Sequence, residues 1–118
     1  MLMSQRRINL AVSFVISNEE TTLKIAGEPA SSPELLEQQL QELVDHKPMR
    51  VMLDLSELEL LSSIGLGLIL SLRRAVIGYG GEVRIASVNP AVLDVLRRTS
   101  VDVLFDPNSP RAQSNKQN

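Results

Sequence analysis

Apolar and polar positions alternate along AVSFVIS, residues 11–17, and again along TTLKIAG, residues 21–27. A period of two marks strands with one covered face. Leu23 and Ile25 fall on one side of the second run, and Thr22 and Lys24 on the other. Asn18-Glu19-Glu20 supplies a turn between the runs, which predicts a hairpin. EPASSP, residues 28–33, then breaks the pattern.

The period becomes helical over residues 31–47, with Leu36, Leu40, Leu43 and Lys47 on one face and Glu and Gln on the other. Two start signals coexist. Ser31 with Glu34 has capping-box spacing, and Ser32 before Pro33 pairs a cap with proline at the first helical position; both starts stand. Pro48 ends the helix. RVMLDLS, residues 50–56, is a nearly continuous apolar run and predicts a strand covered on both faces. From Ser63 to about Gly78 the pattern is helical again. Gly80-Gly81 turns the chain, and EVRIAS, residues 82–87, reads as a strand. NPAVLDVLRRT, residues 89–99, reads as a helix with Asn89 as its cap and Pro90 in its first turn. DVLFD, residues 102–106, predicts a last short strand. The polar, proline-broken stretch 107–118 is expected to be a disordered tail, and residues 1–8 a flexible lead-in.

The order β-β-α-β-α-β-α-β places the chain in the α/β (α+β) class. The expectation is one domain over residues 9–106, with a mixed sheet of four or five strands and helices packed mainly on one face.

Composition narrows the chemistry. The 118 residues contain no cysteine, so thiolate metal sites and disulfides are excluded. A formal charge of −2 supplies no basic field for nucleic acid. No stretch is apolar for long enough to cross a membrane as a helix, and a signal peptide is not expected from the first residues. A cytoplasmic location is expected. The single His46 ends the first helix beside a proline, where solvent contact is the simple reading, and nucleophilic serine chemistry would need it as a base. Asp54 is expected to satisfy nearby backbone N–H groups. Arg97 and Arg98 are expected to complement the C-terminal end of their helix. No catalytic residue, metal ligand or cofactor is assigned.

One stretch resists a purely structural reading. In LLSSIGLGLIL, residues 60–70, two serines end an apolar run and Gly65 and Gly67 open a helix, each glycine costing about 1 kcal/mol against alanine. Ser63 read as an N-cap would contribute about 1 kcal/mol. Read as a phosphate acceptor, it would carry about −1.5 to −2 charges at a helix N-terminus able to hold them, with the glycines letting a partner's backbone approach. On this helix Ile64, Gly65, Leu68, Ile69, Leu72, Ala75 and Val76 share a face expected to meet the sheet. Leu66, Leu70 and Ile77 lie on another side beside Arg73 and Arg74, either as a docking stripe or under another helix.

The LDLS strand, the serine turn, GLG opening a helix, GG before a strand and NP opening the next helix together resemble a STAS domain of the anti-sigma factor antagonist type. The resemblance is clearest over residues 51–105, and the hairpin and first helix fit the same plan. It implies a non-enzymatic binding protein whose partner is an anti-sigma factor that is also a serine kinase with a GHKL-type ATP site. Binding frees the sigma factor, phosphorylation of the antagonist's serine releases the complex, and a PP2C-type phosphatase resets it. The matching serine is Ser63, with Ser62 as second choice. The partner surface implied is Ser62, Ser63, Ile64, Gly65, Leu66, Gly67, Leu70, Arg73, Arg74 and Ile77, with Gly27 and Glu28 from the neighbouring turn. A weak homodimer is a further assembly to expect, and neither nucleic acid nor membrane insertion is. The chain departs from the pattern in three places. Ser62 stands where Asp is common, Ile64 where a second Ser is common, and GEPASSP where an acidic GDLD-like turn is common. The alternative is a STAS subunit that docks on a transporter ATPase of the lipid-transport type, using the Leu66–Leu70–Ile77 stripe permanently and leaving Ser63 as a cap.

Overall fold

A computed structural model describes residues 9–17 and 20–105. The expected lead-in at 1–8, the turn at Asn18-Glu19 and the tail at 107–118 lie outside the described residues. Strands β1 (Leu10–Ser17) and β2 (Glu20–Gly27) form the antiparallel hairpin, in a register running from Leu10 opposite Gly27 to Ser17 opposite Glu20. A 3-10 turn, Pro29–Ser31, leads into helix α1 (Pro33–Asp45). Then follow β3 (Arg50–Leu55), α2 (Ser63–Gly78), β4 (Glu82–Val88), α3 (Pro90–Arg98) and a short α4 (Asp102–Phe105).

The sheet order is β1-β2-β3-β4, with β2, β3 and β4 parallel. Two successive right-handed crossovers that step the same way across a sheet must put their helices on the same face. This explains why burial alternates along the strands. Leu23, Ile25, Val51, Leu53, Leu55 and Val83 are buried, whereas Lys24, Met52, Asp54 and Arg84 are only partly covered. The expectation that RVMLDLS is covered on both faces is therefore corrected: Met52 and Asp54 sit on the open side. That side is patterned with charge, Arg50 and Arg84 both reaching Glu82 at 3.3 and 3.5 Å, and Lys24 meeting Glu57 at 2.8 Å.

Helix α1 buries Leu36, Leu40 and Leu43 as the spacing predicts. It stops at Asp45, however, so Lys47 lies beyond it, exposed and with a positive φ of 50°. Ser32 holds the N-cap position with Pro33 at the first helical position, but its hydroxyl makes no cap bond. Ser31 is used elsewhere: its Oγ donates to the Glu28 carbonyl and accepts from the Asn9 N–H. His46 is the exposed C-cap of α1, its Nδ1 2.9 Å from the Glu42 carbonyl.

The last strand expected from DVLFD is a helical turn instead. Its backbone is helical from Asp102 to Phe105, with Val101 and Phe105 buried and Leu104 exposed. Arg73 Nε donates to the Leu104 carbonyl, one of the carbonyls that a helix's last turn leaves unpaired, and so ties α4 to α2.

Candidate functional site

The turn after β2 and the loop before α2 are built as one unit. Gly27 adopts φ 89°, and a Cβ there would lie 2.1 Å from the Asn9 carbonyl oxygen, so only glycine fits. Its N–H donates to the Glu57 carbonyl and its carbonyl accepts from the Glu59 N–H, stitching residue 27 to the β3–α2 loop. Asn9 closes the arrangement, its Nδ2 donating to Glu59. On the far side, Asn89 Nδ2 donates to the Leu58 carbonyl at 2.7 Å while its Oδ1 accepts from the Val92 N–H. One side chain thus caps α3 and anchors the loop. Asp54 ends β3 by accepting from both the N–H and the hydroxyl of Ser56, at 3.0 and 2.6 Å. Those bonds, chiefly the hydroxyl's, hold its carboxyl below the ordinary carboxylate range.

This scaffold sets the start of α2. The cap is Ser62, in extended backbone, whose Oγ accepts from the Gly65 N–H at 3.3 Å. The reading of Ser63 as the cap is corrected. Ser63 is the first helical residue, exposed, and its hydroxyl has no hydrogen-bond partner among the described residues. The two serines therefore divide the tasks that the sequence left to one.

The glycines also separate. Gly65 is buried, and a Cβ there would meet Pro29 Cβ at 3.0 Å and Leu61 Cδ1 at 3.3 Å. Its bareness serves the chain's own packing and brings no partner to Ser63. Gly67 is exposed, with open space where a Cβ would stand. Gly27 is likewise buried scaffolding, whereas Glu28 is half-buried and its carboxylate is unpaired among the described residues.

At 100° per residue, the buried face of α2 is Gly65, Ile69, Leu72 and Val76. Ser63, Gly67 and Arg74 point almost directly away from it. Leu70, Ile77, Leu66 and Arg73 follow on one flank and Ile64 on the other. The sequence placed Ile64 on the sheet face, but it is 51% exposed, because it lies about 100° from the buried centre. Leu66 and Leu70 are half-buried, packed against the edge of the core, and Ile77 is 46% exposed. Arg73 is engaged by α4, and Arg74 is free among the described residues. Leu60, which the sequence reading did not include, is 55% exposed beside the serines. In ELELL, residues 57–61, Leu58 and Leu61 are buried and Leu60 turns outward.

The outward surface is thus a free hydroxyl at a helix mouth, ringed by Leu60, Ile64, Leu66, Gly67 and Leu70. Chemically it can accept a covalent group and can bury against a protein. The arginines of α2 stand ten and eleven residues from Ser63, about 15 Å along the axis. They cannot neutralise a group placed on Ser63.

Comparison with known proteins follows the same lines. A family profile described as "Mlab, STAS domain" matches residues 12–106. The chain resembles the crystal structure of an anti-sigma factor antagonist from Mycobacterium paratuberculosis at a TM-score of 0.72. Identity is 21%, over 92% of this chain and 95% of that one. It also resembles the anti-sigma factor antagonist SpoIIAA in its unphosphorylated form, at a TM-score of 0.69 and 14% identity, over 90% of this chain and 95% of that one. The phosphorylated form of SpoIIAA, described as a Bacillus cell fate determinant, is similar at a TM-score of 0.64 and 14% identity, over 92% of this chain and all of that one. No curated protein matches the sequence.

Proposed function

The chain belongs to the STAS domain family, and from that premise we propose that it is an anti-sigma factor antagonist controlled by phosphorylation of Ser63. The unmodified protein binds an anti-sigma factor that is also a serine kinase of the GHKL type, in the cytoplasm, through the α2 mouth. Leu60, Ile64, Leu66, Gly67 and Leu70 supply the apolar contact, with Arg74 and Ile77 further along the helix. The kinase transfers the γ-phosphoryl of ATP to Ser63 Oγ. The hydroxyl proton leaves and ADP is released. A PP2C-type phosphatase returns the hydroxyl by hydrolysis.

The observation that carries this reading is the division between the two serines. Ser62 caps the helix, so Ser63 is exposed and structurally idle. A dianion placed there gains from the helix dipole, roughly half a positive charge, while the first basic residue of its own helix is rooted about 15 Å further along the axis. Its remaining charge therefore faces outward into the apolar ring, where burying an unpaired charge is strongly unfavourable. The fold persists while the contact is lost.

The transporter-subunit alternative keeps Ser63 as a cap, which is the role Ser62 fills here. The two readings separate by experiment. Native protein is purified with its associated proteins and its phosphate mapped. Wild type, Ser63→Ala and Ser63→Asp are then titrated against the co-purifying partner. The phospho-switch expects label on Ser63, tight binding by Ser63→Ala, and at least tenfold weaker binding by Ser63→Asp. Equal affinities with no phosphorylated pool, and stoichiometric recovery of a transporter ATPase, would establish the alternative.

A further inference from the structure

Helix α1 is unusual for its charge. PELLEQQLQELVD contains four acids and no base. With 12 basic and 14 acidic residues in the whole chain, α1 carries −4 and the rest carries 12 − 10 = +2. The modest total of −2 hides this asymmetry. Glu34, Glu37, Glu42 and Asp45, with Gln38 and Gln41, make up the outer wall of the helix. The Glu34, Glu37 and Glu42 carboxylates have no ion-pair or hydrogen-bond partner among the described residues, and Asp45 accepts only from Gln41. Glu42 and Asp45 also occupy the last turn, where the helix dipole disfavours negative charge. Only Glu34, in the first turn, is favoured by the dipole; the acids of the last turn work against the stability of α1.

Beside this wall, between α1 and α2, runs a groove of about 130 Å³ lined by Leu40, Val44, Leu68, Leu72 and Ala75, with Ser71, Glu37 and Gln41 at its edges. Ser71 and Ala75 are short, which keeps the groove open. Ile64, half exposed, stands in line with Leu68, Ser71 and Ala75 at spacings of four, three and four residues. That spacing is a seam for a packed helix. It spans about 17 Å, or three turns, and so does the acidic row from Glu34 to Asp45.

We infer that the α1–α2 groove is a second docking site, and that its occupant is a basic amphipathic helix of about three turns. Its apolar edge lies over Leu68, Ser71 and Ala75, and its lysines or arginines meet Glu34, Glu37 and Asp45. The groove supplies the contact area, the wall supplies the sign of the charge, and their lengths agree. The inference goes beyond the role of Ser63 and does not depend on it: the groove itself lies on the α1 side of α2, whereas Ser63 points outward, and Ile64 at the end of the seam is the residue the two surfaces share.

The test uses the full chain, labelled with nitrogen-15, and a synthetic helix of about fourteen residues with leucine on one face and lysine on the other, long enough to hold helical structure. Titration should shift the amides of Glu37, Gln41, Leu68, Ser71 and Ala75 saturably. Glu37→Lys/Asp45→Lys should weaken binding at least tenfold, as should replacing the peptide's lysines by glutamates. Ser63→Asp should change the affinity less than twofold, which separates this site from the phospho-switch. These substitutions are on the exposed face of α1, and the thermal midpoint should hold or rise. Shifts confined to the open sheet face, equal affinity for the charge-reversed protein, or no saturable binding would each overturn the proposal. The same groove shifts on concentrating the protein without peptide would also overturn it, since the occupant would then be a second copy.

Discussion

Gly65 and Gly67 are two residues apart in one helix, and the structure assigns them opposite responses to the same added methyl. At Gly67 the new Cβ meets nothing within 4 Å, so alanine brings only its helix propensity, about 1 kcal/mol better than glycine. For a domain of this size that corresponds to roughly 4 °C in melting temperature. At Gly65 the propensity gain is opposed by contacts at 3.0 and 3.2 Å to Pro29 and 3.3 Å to Leu61, well inside the 3.5–4.0 Å optimum for carbon pairs. Pro29 is a rigid ring, buried, in a turn held by the bonds from Ser31 N–H to Glu28 and from Ser32 N–H to Pro29. It cannot swing away as a flexible side chain would. Overpacking of this kind costs about 1–3 kcal/mol. The balance is a net destabilisation of roughly 1 kcal/mol for Gly65→Ala and a stabilisation of up to about 1 kcal/mol for Gly67→Ala. Urea titrations of both variants, with the slope checked for constancy, measure this directly. If Gly65→Ala were as stable as Gly67→Ala, the close packing of the Pro29 turn on α2 would be refuted. Gly67→Ala carries a second readout, because its methyl enters the outward face and should weaken the partner titration without loss of stability.

The serines give a matched pair: Ser62→Ala should lose about 1 kcal/mol through the missing cap, while Ser63→Ala should stay within about 0.5 kcal/mol of wild type in the same urea assay. Asn89→Ala removes both the α3 cap and the bond to Leu58, so it should cost about 2 kcal/mol, more than Ser62→Ala. Asp54 has a depressed pKa in the folded state against an ordinary value of 3.8; its contribution is present above that value and is lost as pH falls through the lower folded one. Denaturation midpoints of wild type and Asp54→Asn should therefore converge between pH 5 and strongly acid solution, and a gap that stays constant would refute the Ser56 bonds as its cause. Lys24 is raised through its hydrogen bond and ion pair with Glu57; its contribution is complete below the ordinary 10.5 and disappears as pH rises through the folded value, so Lys24→Met should erase a small alkaline loss seen in wild type.

Much of this was legible in the sequence. Period two over β1 and β2, the apolar spacing of α1, and the Asn89-Pro90 start of α3 each rest on local rules that tertiary context did not override. The last element was not legible, because DVLFD is too short for alternation to be told from a four-residue spacing, and Val101 and Phe105 would share a face in either. Coverage of β3 was misread because Met52 is apolar by composition yet lies on the open face, which hydrophobicity alone cannot reveal. The serine turn was located, but a one-residue shift in the helix start moved the capping role from Ser63 to Ser62. The purpose of Gly65 could not be read at all, since its contact, Pro29, is 36 residues away in the chain. Leu60 passed unnoticed inside a leucine-rich loop for the same reason: its direction is fixed by bonds from Gly27 and Asn89 to its neighbours.

Asn9 has a practical consequence. Its carbonyl fills the space a side chain at residue 27 would need, so the polypeptide enters the domain beside the very loop that carries the serines. A bulky label fixed at Asn9 itself would stand beside that surface and compete with whatever lands on it.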